Sequence, residues 1–106
     1  MKKNRYIFLI FIFFLNFIFF RVNADPKFDI GKKIFINKGE CGACHSLNNA
    51  NTHGQIGPNL NQIQPDLTRV ILAVTNGIGV MPSYEGQLSD EEIEAVSYYV
   101  SKSSAE

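Results

Sequence analysis

Cys41-Gly42-Ala43-Cys44-His45 is the stretch that governs the reading of this chain, because it sets two thiols three positions apart with an imidazole directly after the second. A disulfide between these cysteines, the only two in 106 residues, closes almost no loop and so stabilises little. A thioredoxin-like redox pair wants a strand before it and a βαβ context, and no strand-like alternation precedes Cys41. A zinc site needs four ligands. His53 brings the count to four, but adjacent Cys-His followed by a gap to residue 53 matches no common zinc spacing.

Cys-x-x-Cys-His is the attachment signature of c-type haem. The thiols of Cys41 and Cys44 add across two vinyl groups, and His45 coordinates the iron from one face, because one helical turn projects all three towards the ring. One covalent haem c with its iron is the expected cofactor. For the second axial position, Met81 is the only methionine after Met1, in Asn76-Gly77-Ile78-Gly79-Val80-Met81-Pro82. A lone methionine is commonly core filler. Here two glycines allow close approach and Pro82 stiffens the exit, so Met81 is the expected ligand. His53, near His45 in sequence and flanked by polar residues, reads as a surface histidine.

Working outward, Asp25-Pro26 reads as N-cap and first residue of a helix to Asn37, with Phe28, Gly31, Ile34 and Phe35 at helical spacing. Gly31 costs helix stability, which points to a backbone packed close against it. Residues 46–64 are polar and turn-rich; a structureless stretch of that length fits a small domain only if it wraps a large buried object. Pro65-Asp66 opens a second helix with Leu67, Val70, Ile71 and Val74 on one face, closed by Asn76-Gly77. Ser89-Asp90-Glu91-Glu92 is a capping-box start to a last helix that turns Ile93, Val96, Tyr99 and Val100 inward to about Ser101. The tail from Lys102 to Glu106 is expected to fray. The fold class is all-α: three main helices and long haem-wrapping loops.

The first two dozen residues differ in kind. Lys2, Lys3 and Arg5 precede an apolar run from Ile7 to Phe20 broken only by Asn16, and Val22-Asn23-Ala24 suits a signal peptidase. The run is short of the roughly 20 residues that a helix needs to cross hydrocarbon. Residues 1–24 are read as a signal peptide and 25–106 as one monohaem domain, periplasmic in location. Retention as a membrane anchor is the alternative. Without the leader the chain loses seven of its nine phenylalanines, and ten acidic residues face six basic ones, a net of −4. That charge argues against nucleic acid or an anionic membrane surface as partner and favours a cationic patch on a protein. A domain this small and poor in large apolar residues borrows stability from a cofactor.

Taken together, residues 25–101 resemble the class I c-type cytochromes. Gly31 and Phe35 match that family's first-helix pair, which crosses an aromatic of the final helix, here Tyr99. Ile56-Gly57-Pro58-Asn59-Leu60 matches its Gly-Pro-x-Leu stretch. The resemblance implies that the Pro58 carbonyl accepts the His45 ring N–H, that Leu60 packs against the haem, and that Met81-Pro82 is the axial-methionine loop. The stretches 57–60 and 76–84 are also similar to those of the small haem subunits of sulfite dehydrogenases.

No Ser/His/Asp constellation, buried carboxylate pair or phosphate loop suggests an enzyme. A His/Met iron leaves no position for a small-molecule substrate, so the sequence points to an electron-transfer protein with redox protein partners, a donor dehydrogenase or a terminal oxidase or reductase. Two alternatives stand: a dedicated electron-accepting subunit of a periplasmic dehydrogenase, and a haem sensor or small peroxidase with a displaceable Met81.

Overall fold

In the computed structural model, residues 24–106 are described; the expected signal peptide lies outside the described residues except for Ala24. Helix α1 spans Pro26–Lys33 and runs on as one π-helical turn, Ile34–Lys38. The Asp25 carboxylate caps it by accepting from the Phe28 N–H, and Pro26 takes the position where a missing N–H costs nothing. A two-stranded antiparallel ribbon follows, β1 (Ser46–Leu47) with β2 (Thr52–His53), Ser46 opposite His53. Then come a short helix α2 (Leu60–Ile63), helix α3 (Leu67–Asn76) and the long α4 (Asp90–Ser103).

The core is the crossing of α1 and α4. A Cβ on Gly31 would run into the Ala95 carbonyl and come within 2.6 Å of the Tyr99 Cβ, so only glycine lets the helices approach this closely. Around the crossing, Tyr99 meets Phe28 edge-on at 4.9 Å between ring centroids and Phe35 at 5.8 Å. Both Phe35 and Tyr99 are fully buried, and truncating such an aromatic to Ala costs about 3–5 kcal/mol. Ser89 and Glu92 complete the capping box of α4, and Lys38 closes a salt bridge to Glu92 at 2.8 Å.

The architecture agrees with the all-α reading, with four differences. The 46–64 stretch is not structureless: the ribbon and α2 organise it. Helix α1 covers the expected stretch but changes type at Ile34, its last turn widening to π so that the Gly39 N–H reaches the Ile34 carbonyl at 2.7 Å. Leu67, the first residue of α3, is 38 % exposed, whereas Val70 and Val74 are buried. The tail does not fray. Ser103 and Ser104 are buried, the Ser103 hydroxyl donates to the Tyr99 carbonyl at 2.7 Å, and Asn49 donates to the Glu106 carboxylate at 3.1 Å. Small serines that return their hydroxyls to the helix's own carbonyls let α4 end against its neighbours.

Candidate functional site

Gly39 closes the π-turn, and Glu40 then takes a left-handed conformation (φ 49°), which reverses the chain into a 3-10 turn, Cys41–Ala43. The His45 N–H donates to the Cys41 carbonyl at 2.9 Å, so both thiols and the imidazole project from one tight turn. The ribbon buckles this turn from behind. The Thr52 hydroxyl donates to the His45 carbonyl at 3.0 Å, and a Cβ on Gly42 would collide with the Thr52 side chain.

The turn opens on an apolar crevice of about 250 Å³. Phe35, Leu60, Val70, Val74, Val96 and Val100 supply its buried walls. Ile56, Ile78 and Val80, respectively 72, 65 and 86 % exposed, also line it. Apart from His45, its only charged or titratable polar groups are Glu40, Arg69 and the Tyr84 phenol, with the two thiols. Cys41, Cys44, His45, Pro58, Leu60 and Met81 all line this one crevice. His53 does not; it sits exposed on β2, beside a separate polar depression with Ser46, Gln55 and Asn59.

His45 Nδ1 lies 2.8 Å from the Pro58 carbonyl oxygen. A carbonyl can only accept, so Nδ1 carries the proton and Nε2 keeps its lone pair. The ring rests on bare backbone: a Cβ on Gly57 would stand 2.6 Å from His45 Cε1, and the Gly57 N–H donates to the Cys44 carbonyl at 2.8 Å. Burial pushes the Cys41 thiol up to about 11, so it stays protonated in its apolar seat. Met81 is half-buried against the core, and it exchanges backbone hydrogen bonds with Ile78 at 2.9 and 3.1 Å.

Two thiols, an imidazole with a free nitrogen and a thioether around one apolar crevice fit covalent haem. They do not make a bare-ion site: among the described residues no group of three or more His, Cys, Asp or Glu is placed to hold a metal ion. Four contributors escaped the sequence reading. Arg69 and Ala73 flank the Val70–Val74 stripe of α3, so a broader stripe would have included them. Thr52 carried no sequence signal, since its role depends on a ribbon two residues wide. Tyr84, three residues beyond Met81, joins the crevice lining through its phenol.

Comparison with known proteins agrees with this chemistry. Residues 26–100 match the family model described as cytochrome C oxidase, cbb3-type, subunit III. The chain is 33 % identical over 96 residues to the cytochrome c6 of Synechocystis sp., covering 84 % of this chain and 78 % of that one. It is 32 % identical over 74 residues to the cytochrome c6 of Leptolyngbya boryana, covering 66 % and 85 % respectively. Among solved structures, the c-type cytochrome SorU from Sinorhizobium meliloti superposes with a TM-score of 0.72 and 47 % identity, over 76 % of this chain and 94 % of that chain. A haem-based electron carrier with redox protein partners, rather than an enzyme, accounts for the crevice and the relatives alike. With its Cys41-to-His45 turn, its apolar crevice and these relatives, the chain belongs to the class I c-type cytochromes and carries covalently bound haem c with its iron.

Proposed function

We propose that this cytochrome is an exported, periplasmic single-electron carrier in which His45 and Met81 bind the haem iron from opposite faces. The observation that carries the reading is the 2.8 Å contact between His45 Nδ1 and the Pro58 carbonyl, in a crevice that Met81 also lines. The carbonyl fixes the tautomer, directs Nε2 to the metal and makes it a stronger donor. Cys41 and Cys44 would carry the two thioether bonds, and Leu60 and Phe35 would keep water from the ring. Haem c, when bound, supplies one iron that gains or loses a single electron. A nitrogen and a thioether on that iron leave no position open for a substrate, and the methionine raises the reduction potential.

Export is supported by the basic start, apolar run and small residues before Asp25. Among the described residues no helix is long and apolar enough to cross a membrane. The excess of ten acidic over six basic residues in 25–106 favours a cationic patch on the partner. At the crevice itself the exposed Ile56, Ile78 and Val80 accompany one cation, Arg69, and one anion, Glu40, so the closest approach there would be largely apolar. A second reading, a dedicated haem subunit of a dehydrogenase of the sulfite-oxidising type, rests on the resemblance of residues 57–60 and 76–84 to such subunits, of which 57, 58, 60, 78, 80–82 and 84 line the crevice. Co-purification with a larger enzyme from native extract distinguishes it from a free shuttle.

The test of ligation is Met81→Ala. Loss of the sulfur should lower the potential by on the order of 0.1 V and let the reduced protein bind carbon monoxide. An unchanged optical spectrum and potential would overturn the assignment of Met81.

A further inference from the structure

We propose that Tyr84 is a positioning residue that latches the Met81 loop onto the turn bearing Cys41, and so sets how readily Met81 leaves the iron. The proposal rests on Met81 being the axial ligand. Its starting point is how unevenly the loop from Gly77 to Leu88 is anchored. The Gly77 N–H donates to the Ala73 carbonyl at 2.8 Å, the Ser83 hydroxyl to Thr75, and the Tyr84 N–H to Val74 at 2.9 Å. These three bonds tie the loop to the end of α3, from which it springs. Met81 itself is bonded only to Ile78 within the loop.

Towards the haem-attachment side there is one hydrogen bond among the described residues. The Tyr84 hydroxyl donates to the Gly39 carbonyl at 2.9 Å, across 45 positions of sequence. Gly39 ends the π-turn and stands two residues before Cys41. Carbonyls at a helix end lack partners within the helix and must find a donor elsewhere. The half-buried phenol supplies it while its ring lines the crevice. Burial, with smaller effects from Cys41, Cys44 and Glu40, holds this phenol above the ordinary tyrosine range. Thioether sulfurs carry no charge, so with haem attached burial and Glu40 remain, and Tyr84 stays a donor at neutral pH.

The loop is therefore fixed to α3 along one edge and to the attachment turn at one point. Gly77 and Gly79 both have positive φ, 73° and 57°, which gives the loop a backbone able to change course about its α3 edge. The phenol bond opposes that swing, and Met81 travels with the loop. The plainer reading is that Tyr84 only caps the π-turn. A cap would stabilise the whole domain and leave the Met81 equilibrium unmoved.

The experiment uses haem-loaded ferric protein, wild type and Tyr84→Phe, titrated with imidazole while the weak red band of sulfur-ligated ferric iron is followed. Denaturant unfolding is measured in parallel by far-UV circular dichroism. Phenylalanine keeps the ring and removes only the donor. The expected result is that Tyr84→Phe loses the band at about three- to tenfold lower imidazole, the range set by one net hydrogen bond. Coincident titrations overturn the latch, whether or not the unfolding midpoint falls, because a bond that only caps the turn leaves displacement unchanged. A wild-type protein without the red band overturns the Met81 assignment itself, and the latch with it, so the two failures are distinguishable.

Discussion

On the His45 side, residues 41–61 are hydrogen-bonded across three elements (β2, α2 and α4) and the Gly57 loop, whereas on the Met81 side residues 77–84 hang from α3 and, through the Tyr84 phenol, from Gly39. Thr52 reaches the His45 carbonyl, Gly57 reaches Cys44, the Asn61 carboxamide accepts from the Asn48 N–H at 2.8 Å, and the Tyr99 hydroxyl donates to Asn49 at 2.8 Å. The Asn61 amide in turn donates to the Ser104 carbonyl at 3.4 Å, drawing the end of α4 into the same set. Bonds that cross elements fail together or not at all, while bonds within a loop move with it. The difference places rigidity under the histidine and adjustability under the methionine. With His45 and Met81 as the proposed iron ligands, a carrier needs both to stay put during electron transfer, and on that proposal ligand exchange should start at Met81.

The comparison is most sharply tested at glycines, since a single added methyl probes the space on each side. Gly57→Ala has the largest expected effect. Its Cβ would stand 2.6 Å from His45 Cε1 and 2.8 Å from Nδ1, and backbone on one side with a ring on the other leaves little room to yield. The imidazole must shift, and the bond to Pro58 lengthens or breaks. Overpacking of this kind costs about 1–3 kcal/mol, and loss of the bond to Pro58 adds to it. Denaturant unfolding of the haem-loaded variant reads the loss. A midpoint equal to that of the wild type would mean that the His45 side is as pliant as the Met81 loop.

Much of this arrangement was legible in the sequence. Local chemistry was the legible part: Asp25-Pro26, Asp66 and Ser89 start helices because their side chains bond N–H groups two or three residues on, a relation written in adjacent positions. Gly31 announced a close crossing because a glycine inside a helical pattern otherwise only weakens it. What escaped were contacts whose partners are far apart in the chain. The tail looked frayed because the Ser104 carbonyl and the Glu106 carboxylate find their partners at Asn61 and Asn49, and nothing in Lys102–Glu106 itself reports that. Thr52 and Tyr84 escaped for the same reason. Each matters through one hydroxyl that meets a carbonyl the sequence does not place beside it.

An intermediate effect is expected from pH. Burial pushes the Tyr99 phenol up to about 12 from an ordinary value of 10.0, with the Glu106 carboxylate adding to the rise and a Ser103 hydrogen bond opposing it. A folded pKa above the unfolded one means a contribution that is whole below pH 10 and is lost as pH climbs towards 12. Ionisation also removes the donor that Asn49 accepts from, so the His45 side should loosen in that window. Stability measured from pH 9 upward should fall across it, and Tyr99→Phe, though weaker at every pH, should lack the fall attributable to this group. A variant whose stability declines in parallel with the wild type would assign the alkaline loss elsewhere, Tyr84 on the opposite flank being the first candidate.

The smallest effect belongs to Gly79→Ala on the Met81 side. A Cβ at this position meets nothing within 4 Å, and Gly79 does not line the crevice, so no side chain has to move. The cost is confined to the backbone: φ is 57°, a left-handed value that an L-residue adopts at roughly 1–2 kcal/mol. Part of that is offset, because alanine narrows the unfolded ensemble by about 0.4–1 kcal/mol. The net destabilisation should therefore be about 1 kcal/mol, with the reduction potential and the imidazole titration near those of the wild type. A large shift in the titration would show that the loop draws its set from its own backbone geometry and not from its anchors. Gly57→Ala and Gly79→Ala, one methyl each, thus measure the two flanks on one scale, and the ratio of their costs is the quantitative form of the contrast between a histidine held from all sides and a methionine held from two.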